Sequence, residues 1–372
     1  MVKSEMFLLG SISLALVGTY IEIVYEKEVE ASGAEVIWYL QSVKNQPVVW
    51  MFIGLDVVTG GGFVAAALVI YWCGDRFIGA LATFLGVFGA TLASLLKMCF
   101  MHPRPLYSFE FLEAFSCSKD SGFPSGHSLS SGCVCFILMV CLQKPTNLSV
   151  YKNLIIILSL ALVAIDRLYL AAHFYFQITM GFVYASVVVS FVSQGAVMNW
   201  IKKSFSLRGC QAGLHLGGIL FWGACLMVYF LRDGSLETEW KTNYVNKCGT
   251  ELRYEDFIYK NIHECTAIGF LMGFPLGYSF TSKLNTIGFS RESVGFSVFL
   301  GAVVGAVYVI LEILFKFFFG YTIRLILSFV CRYLIGFCVS YAIPVIVDTY
   351  IHKSGILSLE STDQIELNKH KS

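Results

Sequence analysis

KMCFMHPRP (residues 97–105), FPSGH (123–127) and DRLYLAAHFYFQ (166–177) are three polar clusters set between hydrophobic runs. Together they bring two histidines, His127 and His173, and three cations, Lys97, Arg104 and Arg167, to the ends of apolar segments. An ionised side chain in a membrane-length segment is costly, so a functional role is its default reading. Three cations and two imidazoles are the composition of a pocket for a phosphate ester.

The rest of the chain says what medium holds that pocket. Hydrophobic residues make up 56% of the 372 residues and charged ones only 14%, and the mean hydropathy is +0.70. A soluble domain has about 25% charged residues, so this is a polytopic membrane protein. A net charge of +1 leaves no footprint for nucleic acid. Apolar runs long enough for helical spans lie at residues 6–25, 48–73, 77–96, 128–142, 154–172, 174–192, 212–231, 266–280, 294–319 and 323–347. The short alternating segments of a membrane barrel are not seen. The expected fold is therefore all-α, with about nine or ten transmembrane helices. Residues 1–30, which could also open as a signal peptide, are expected to form an extra hydrophobic helix or signal anchor that is retained, because no small-residue cleavage site follows the apolar run, with a short amphipathic stretch over 35–43. Residues 31–351 would form one membrane-embedded domain and 352–372 a cytosolic polar tail.

Alternation of these spans puts all three clusters on one membrane face. The same face receives residues 232–264, which carry five cations among seven carboxylates. The opposite loops are short and basic, with Lys144, Lys202, Lys203, Arg208, Lys283 and Arg291. Their charge predicts that the opposite face is cytosolic and the clusters lumenal or extracellular. The sequon Asn147-Leu148-Ser149 would then be cytosolic and unmodified. Lys369 and Lys371 in the tail fall just out of register with a dilysine retrieval signal. Nine of the twelve cysteines lie in predicted helices or at their ends. Cys117 and Cys248 fall on the lumenal side and can pair, with Cys265 at the edge of that face.

Each cluster also has a plainer reading. Lys97 and Arg104 are two helical turns apart and could share a stripe until Pro103 and Pro105 end the helix. A lysine at a helix end is often only an interfacial anchor. Ser125 is placed as the N-cap of the fourth span, and Gly126 would let an anion approach the free N–H groups there. Asp166 beside Arg167 allows a structural ion pair. Asp56, alone in an apolar helix, can be a buried partner for some cation.

Lys-x6-Arg-Pro, Pro-Ser-Gly-His and Arg-x5-His in this order resemble the signature of the type 2 phosphatidic acid phosphatase (PAP2) superfamily, which includes vanadium haloperoxidases. DRLYLAAHFYFQ is most similar to the glucose-6-phosphatase branch, whose pattern is Ser-Arg-x-Tyr-Leu-Ala-Ala-His-Phe-x-x-Gln. The resemblance implies a six-helix core and a phosphohistidine mechanism. His173 would attack phosphorus, and His127 would protonate the leaving alcohol and then activate water. Lys97, Arg104, Arg167 and the N–H groups around Ser125 and Gly126 would hold the phosphoryl oxygens. Gln177 stands where the wider superfamily has an Asp behind its nucleophile, so Asp56 is expected to orient His173 instead. Asp166 replaces the branch's Ser, and residues 106–123 lack its tryptophan-rich, Gly-Pro-Gly form.

Neither a metal nor another cofactor is implied. The resemblance implies hydrolysis of glucose 6-phosphate at the lumenal face of the endoplasmic reticulum, with a sugar-phosphate transporter as a partner. A lipid phosphate phosphatase, acting on phosphatidate or a sphingoid-base phosphate drawn from the surrounding membrane lipids, is the alternative. A non-enzymatic member is a third.

Overall fold

The computed structural model describes residues 2–142, 148–232, 234–282, 284 and 290–354. The regular structure of the described residues is all helical, with no strands. In chain order the helices are α1 (Val2–Val24), α2 (Glu26–Gln41), α3 (Gln46–Val57), α4 (Phe63–Cys73), α5 (Arg76–Phe100) and α6 (Pro105–Ser108). Then come α7 (Gly126–Cys141), α8 (Leu148–Tyr169), α9 (Tyr175–Val192), α10 (Gly195–Ser206), α11 (Gln211–Leu231) and α12 (Thr238–Cys248). Last are α13 (Tyr254–Cys265), α14 (Ile268–Thr281), α15 (Arg291–Phe318), α16 (Tyr321–Ser340) and α17 (Ala342–Ser354).

All ten expected spans are helical, and seven are long and apolar enough to cross a bilayer: α1, α3 with α4, α5, α9, α11, α15, and α16 with α17. The other three depart for local reasons. Helix α7 has 16 residues, α14 has 14 with Pro275 inside it, and α8 carries Lys152, Asp166 and Arg167. A five-residue π-helical turn, Val58–Gly62, joins α3 to α4. Such turns widen a helix locally, and this one puts Gly60 against the His127 ring. The expected amphipathic stretch over 35–43 starts earlier, as α2, which buries Glu30, Gly33, Ala34, Ile37 and Gln41 on one helical face.

The main core joins α4, α5, α7, α9, α10 and α14 through residues such as Tyr71, Leu85, Leu129, Val189, Phe205 and Phe274. Helices α14 and α16 approach backbone to backbone where Gly269, Gly273 and Gly277 recur every fourth residue. A Cβ on Gly273 would lie 3.2 Å from the amide nitrogen of Phe337. Small residues permit this approach in lipid, where no hydrophobic drive brings helices together. Helix α15 is the opposite case: none of its most apolar 18-residue window is buried, leaving that surface to the hydrocarbon.

Residues 232–264 are not an open loop. Helices α12 and α13 cap the end of the bundle where α5 ends and α7 and α9 begin. Helix α12 docks on α6, with Asn243 Nδ2 donating to the Tyr107 carbonyl at 2.7 Å. Cys117 and Cys248 form a disulfide, tying the loop before α7 to the end of α12. The sequon Asn147, Lys144, Lys283 and residues 355–372, including Lys369 and Lys371, lie outside the described residues or their side chains.

Candidate active site

Helix α5 ends at Phe100 with Met101 left-handed (φ 57°) and its N–H on the Lys97 carbonyl. Pro103 and Pro105 then prevent any resumption before Arg104, which stands outside the helix at the start of α6. Lys97 and Arg104 therefore do not share a helical stripe as their spacing suggested. The chain turns back, and both side chains meet on Asp120. Lys97 Nζ pairs with one Asp120 oxygen, Arg104 Nη2 with the other at 2.7 Å, and Arg104 Nε donates to the Asp120 carbonyl at 2.9 Å. The Ser118 hydroxyl donates to the same carboxylate. Burial opposes ionisation of Asp120, but the Arg104 and Lys97 charges outweigh it and hold this carboxyl well below its usual range.

His173 lies in the turn between α8 and α9, held by Ala171 in the left-handed region (φ 50°) and by its own N–H on the Arg167 carbonyl at 3.3 Å. Its Nδ1 is 2.8 Å from the Gly122 carbonyl oxygen. A carbonyl only accepts, so Nδ1 carries the proton and Nε2 keeps its lone pair. Arg104 Nη1 stands 3.4 Å from Nε2 and donates to the Ala172 carbonyl at 2.8 Å. Burial and the Arg104, Lys97 and Arg167 charges push the His173 imidazole well below the usual histidine range. These effects favour the neutral imidazole, the form in which a ring nitrogen can act as a nucleophile.

The orienting group behind His173 is thus a backbone carbonyl, and the expectation that Asp56 does this is corrected. Asp56 pairs with Arg167 Nη2 and lies 3.4 Å from His127 Nε2. The reason is where its partners stand: α3 packs on the 169–172 turn through Phe52, while the Asp56 carboxylate, one turn further along, is taken by Arg167 of α8 and faces His127 of α7. Arg167 is gripped from two sides, by Asp56 and by Asp166, while its Nη1 lies 3.2 Å from His127 Nε2. The plainer readings of Asp56 and Asp166 as ion-pair partners both hold.

Ser125 also departs from expectation. It caps α7, its Oγ accepting from the Ser128 N–H at 3.4 Å, but its own N–H donates to the Gln177 carbonyl at 3.0 Å. That N–H is not free for a phosphoryl oxygen. Gly126 is: it lines the cavity, and a Cβ there would come 3.9 Å from Lys97 Nζ. Gln177 does not touch His173. Its side chain donates to the Pro103 carbonyl at 2.9 Å and accepts from the Phe174 N–H at 3.3 Å, locking the Arg104 loop to the start of α9.

One cavity of about 350 Å³ brings these groups together, lined among others by Asp56, Lys97, Arg104, Gly126, Arg167 and the two histidines. Its wall also holds residues that the motifs did not reveal: Asp120, Lys260 and Glu264. Lys260 Nζ pairs with Glu264 at 2.9 Å, and Ser94 of α5 donates to Glu264 at 3.0 Å. A sequence signal existed for the last two, the amphipathic run of α13 with Phe257, Ile258, Ile262 and Cys265 on its buried face. Among the described residues no group of three or more His, Cys, Asp or Glu is arranged to hold a metal.

No curated protein gives a significant match to this chain. The crystal structure of the first transmembrane PAP2 type phosphatidylglycerolphosphate phosphatase from Bacillus subtilis is similar at 22% identity and a TM-score of 0.41, over 55% of this chain and 98% of that one. The family described as PAP2 superfamily matches residues 76–203. That match covers about a third of the chain, the part supplying every member of the cavity from Lys97 to His173, and over those residues the chain is similar to the PAP2 superfamily.

Proposed function

We propose that the protein is a membrane phosphomonoesterase that works through a phosphohistidine and takes glucose 6-phosphate as its substrate. The observation that carries the chemistry is the 2.8 Å contact of His173 Nδ1 with the Gly122 carbonyl, which assigns the proton to Nδ1 and leaves the Nε2 lone pair for the cavity. In the first step the Nε2 lone pair attacks phosphorus and the ester P–O bond breaks. His127, with the Asp56 carboxylate beside it to favour the imidazolium, gives its proton to the departing alkoxide. Water then attacks the phosphohistidine while His127 takes a proton, which returns the imidazole of His173 and releases phosphate. Lys97, Arg104, Arg167 and the Gly126 N–H match the charge that spreads over the equatorial oxygens.

The sugar assignment rests on the similarity of DRLYLAAHFYFQ to the glucose-6-phosphatase branch. A reticulum membrane with the cavity lumenal follows from the same similarity, from the basic loops of the other face and from the Cys117–Cys248 bond, since disulfides persist in oxidising compartments. Hydrolysis of a lipid phosphate such as phosphatidate is the second reading, favoured by the match of residues 76–203 to a superfamily that includes lipid phosphatases. Membranes bearing the protein should release phosphate from glucose 6-phosphate in EDTA, and His173→Ala should lower the rate by about 10³-fold or more. Release from phosphatidate but not from the sugar would move the assignment to the lipid reading. Release from neither would overturn the phosphatase.

A further inference from the structure

Beside the catalytic cavity lies a second, larger one of about 910 Å³, walled by the 116–119 loop, α13 and the turn between α15 and α16. The two cavities share Ser116, Ser118 and Lys260, so they are neighbours across a single layer of side chains. The larger one is lined by Lys119, Arg253, Lys260, Lys316 and Arg324 against one carboxylate, Asp256. Asp256 is already held by Lys119 at 3.3 Å, by Arg253 at 3.1 Å and by the Tyr321 hydroxyl at 2.9 Å. Arg324 stacks over Tyr259, its guanidinium carbon 5.1 Å from the ring centre, with Nε 4.0 Å from Glu312. Lys316 has no ion pair among the described residues.

Two features set the direction of traffic. The walls sit where the spans α15 and α16 emerge, at Phe319 and Gly320, so this cavity opens at the end of the bundle and not among the acyl chains. The apolar cavity of about 460 Å³ between α5, α9, α11 and α14 shares no residue with the catalytic one. A cationic, low-dielectric recess raises the local concentration of anions.

We propose that this recess is an anion-collecting vestibule, from which a water-soluble phosphate ester reaches His173 past the Lys260–Glu264 pair. This rests on the phosphatase reading and names its substrate class: a phosphomonoester of a compact hydrophilic alcohol arriving from the aqueous phase. Lys260, common to both cavities, meets the alcohol portion once the phosphate is seated on Lys97, Arg104 and Arg167. The residues that collect the anion, Lys316 and Lys119, do not line the catalytic cavity.

The test is full-length protein in detergent carrying Lys316→Glu, with Lys316→Arg as the charge-preserving control and Lys119→Gln as an independent variant. At about 20 mM salt, where the Debye length exceeds 20 Å, Lys316→Glu should lower kcat/KM for glucose 6-phosphate about three- to tenfold and leave kcat unchanged. At about 300 mM salt the difference should vanish. Lys316→Arg should behave as wild type, and Lys119→Gln should show a smaller loss of the same kind. Unchanged kcat/KM at low salt, or a loss that salt does not relieve, overturns the vestibule. Protection of the protein against thermal unfolding by glucose 6-phosphate is read in parallel and needs no turnover. If the wild type hydrolyses nothing yet shows salt-dependent protection that Lys316→Glu abolishes, the phosphatase fails and the vestibule stands. If phosphatidate micelles are hydrolysed equally by wild type and Lys316→Glu while the sugar phosphate neither protects nor reacts, the phosphatase stands and the vestibule fails.

Discussion

Asp120 decides how the cations of the cavity are shared. Its carboxylate bridges Lys97 and Arg104, the same two groups assigned to the phosphoryl oxygens. A substrate phosphate must therefore compete with an internal anion or force it aside. Asp120→Asn keeps the shape, can still accept from Arg104 and Ser118, and removes the charge. Inorganic phosphate should then inhibit with a Ki about tenfold lower, an exchange of about 1.4 kcal/mol. A Ki that rises instead would show that Asp120 aims the two cations and remains beside the phosphate. At the same scale, His173 owes its Nδ1–H tautomer to the Gly122 carbonyl. A Cβ on Gly122 would fall 2.7 Å from both polar atoms of the Gln177 amide, so this position admits no side chain while the loop keeps its place.

Among the elements, α2 holds the turn bearing His173 from outside the cavity. Ala34 and Ile37 pack with Leu112, Ala171 and Phe174, and Gln41 Nε2 donates to the carbonyls of Glu113 and Tyr169 at 3.0 and 3.1 Å. The turn with His173 is thus clamped between α2 and the loop that carries Asp120 and Gly122. The same helix buries Glu30, whose carboxyl is pushed up to about 8 by that burial, with Glu26 and Glu22 adding to it. The unfolded chain ionises this group near the ordinary value of about 4.3. Its folded pKa is the higher one, so the fold is favoured while the carboxyl holds its proton and loses stability as pH rises from about 4.3 to about 8. Glu30→Gln has no proton to lose. It should be more stable than wild type by about 1–3 kcal/mol at pH near 8 and indistinguishable near pH 4, as read by thermal unfolding in detergent. A difference that does not change with pH would remove Glu30 as the titrating group.

At the scale of the whole molecule, the end of the bundle is closed by parts far apart in sequence. The Cys117–Cys248 bond spans 131 residues and fastens α12 to the loop bearing Ser118 and Asp120. Tyr244 reinforces it, its hydroxyl donating to the Cys117 carbonyl at 3.0 Å. Replacing both cysteines by serine should cost about 2–4 kcal/mol of stability, measured by thermal unfolding under non-reducing conditions. It should also lower kcat, because the loop that holds His173 Nδ1 loses its anchor. Unaltered melting and turnover would show that the buried face of α12 suffices.

The all-α membrane architecture was legible in the chain because hydrocarbon leaves the backbone few choices: long apolar runs must satisfy their N–H and C=O groups internally, as helices do. The membership of the cavity was legible for a related reason. Lys97, Arg104, His127, Arg167 and His173 are costly at the edge of a bilayer, and their cost marks them. The relations between them were not. That the Gly122 carbonyl rather than Asp56 sets the His173 tautomer, that Ser125 spends its N–H on Gln177, and that Asp120 bridges two cations are consequences of where loops fold back. Such contacts use backbone atoms or ordinary polar residues and leave no periodicity. Apart from Lys119, the cations of the vestibule, Lys260 among them, lie in and beside α13, α15 and α16, beyond residues 76–203. Only packing in three dimensions brings that positive charge to the mouth of the site, since Coulomb attraction depends on distance through space and not along the chain.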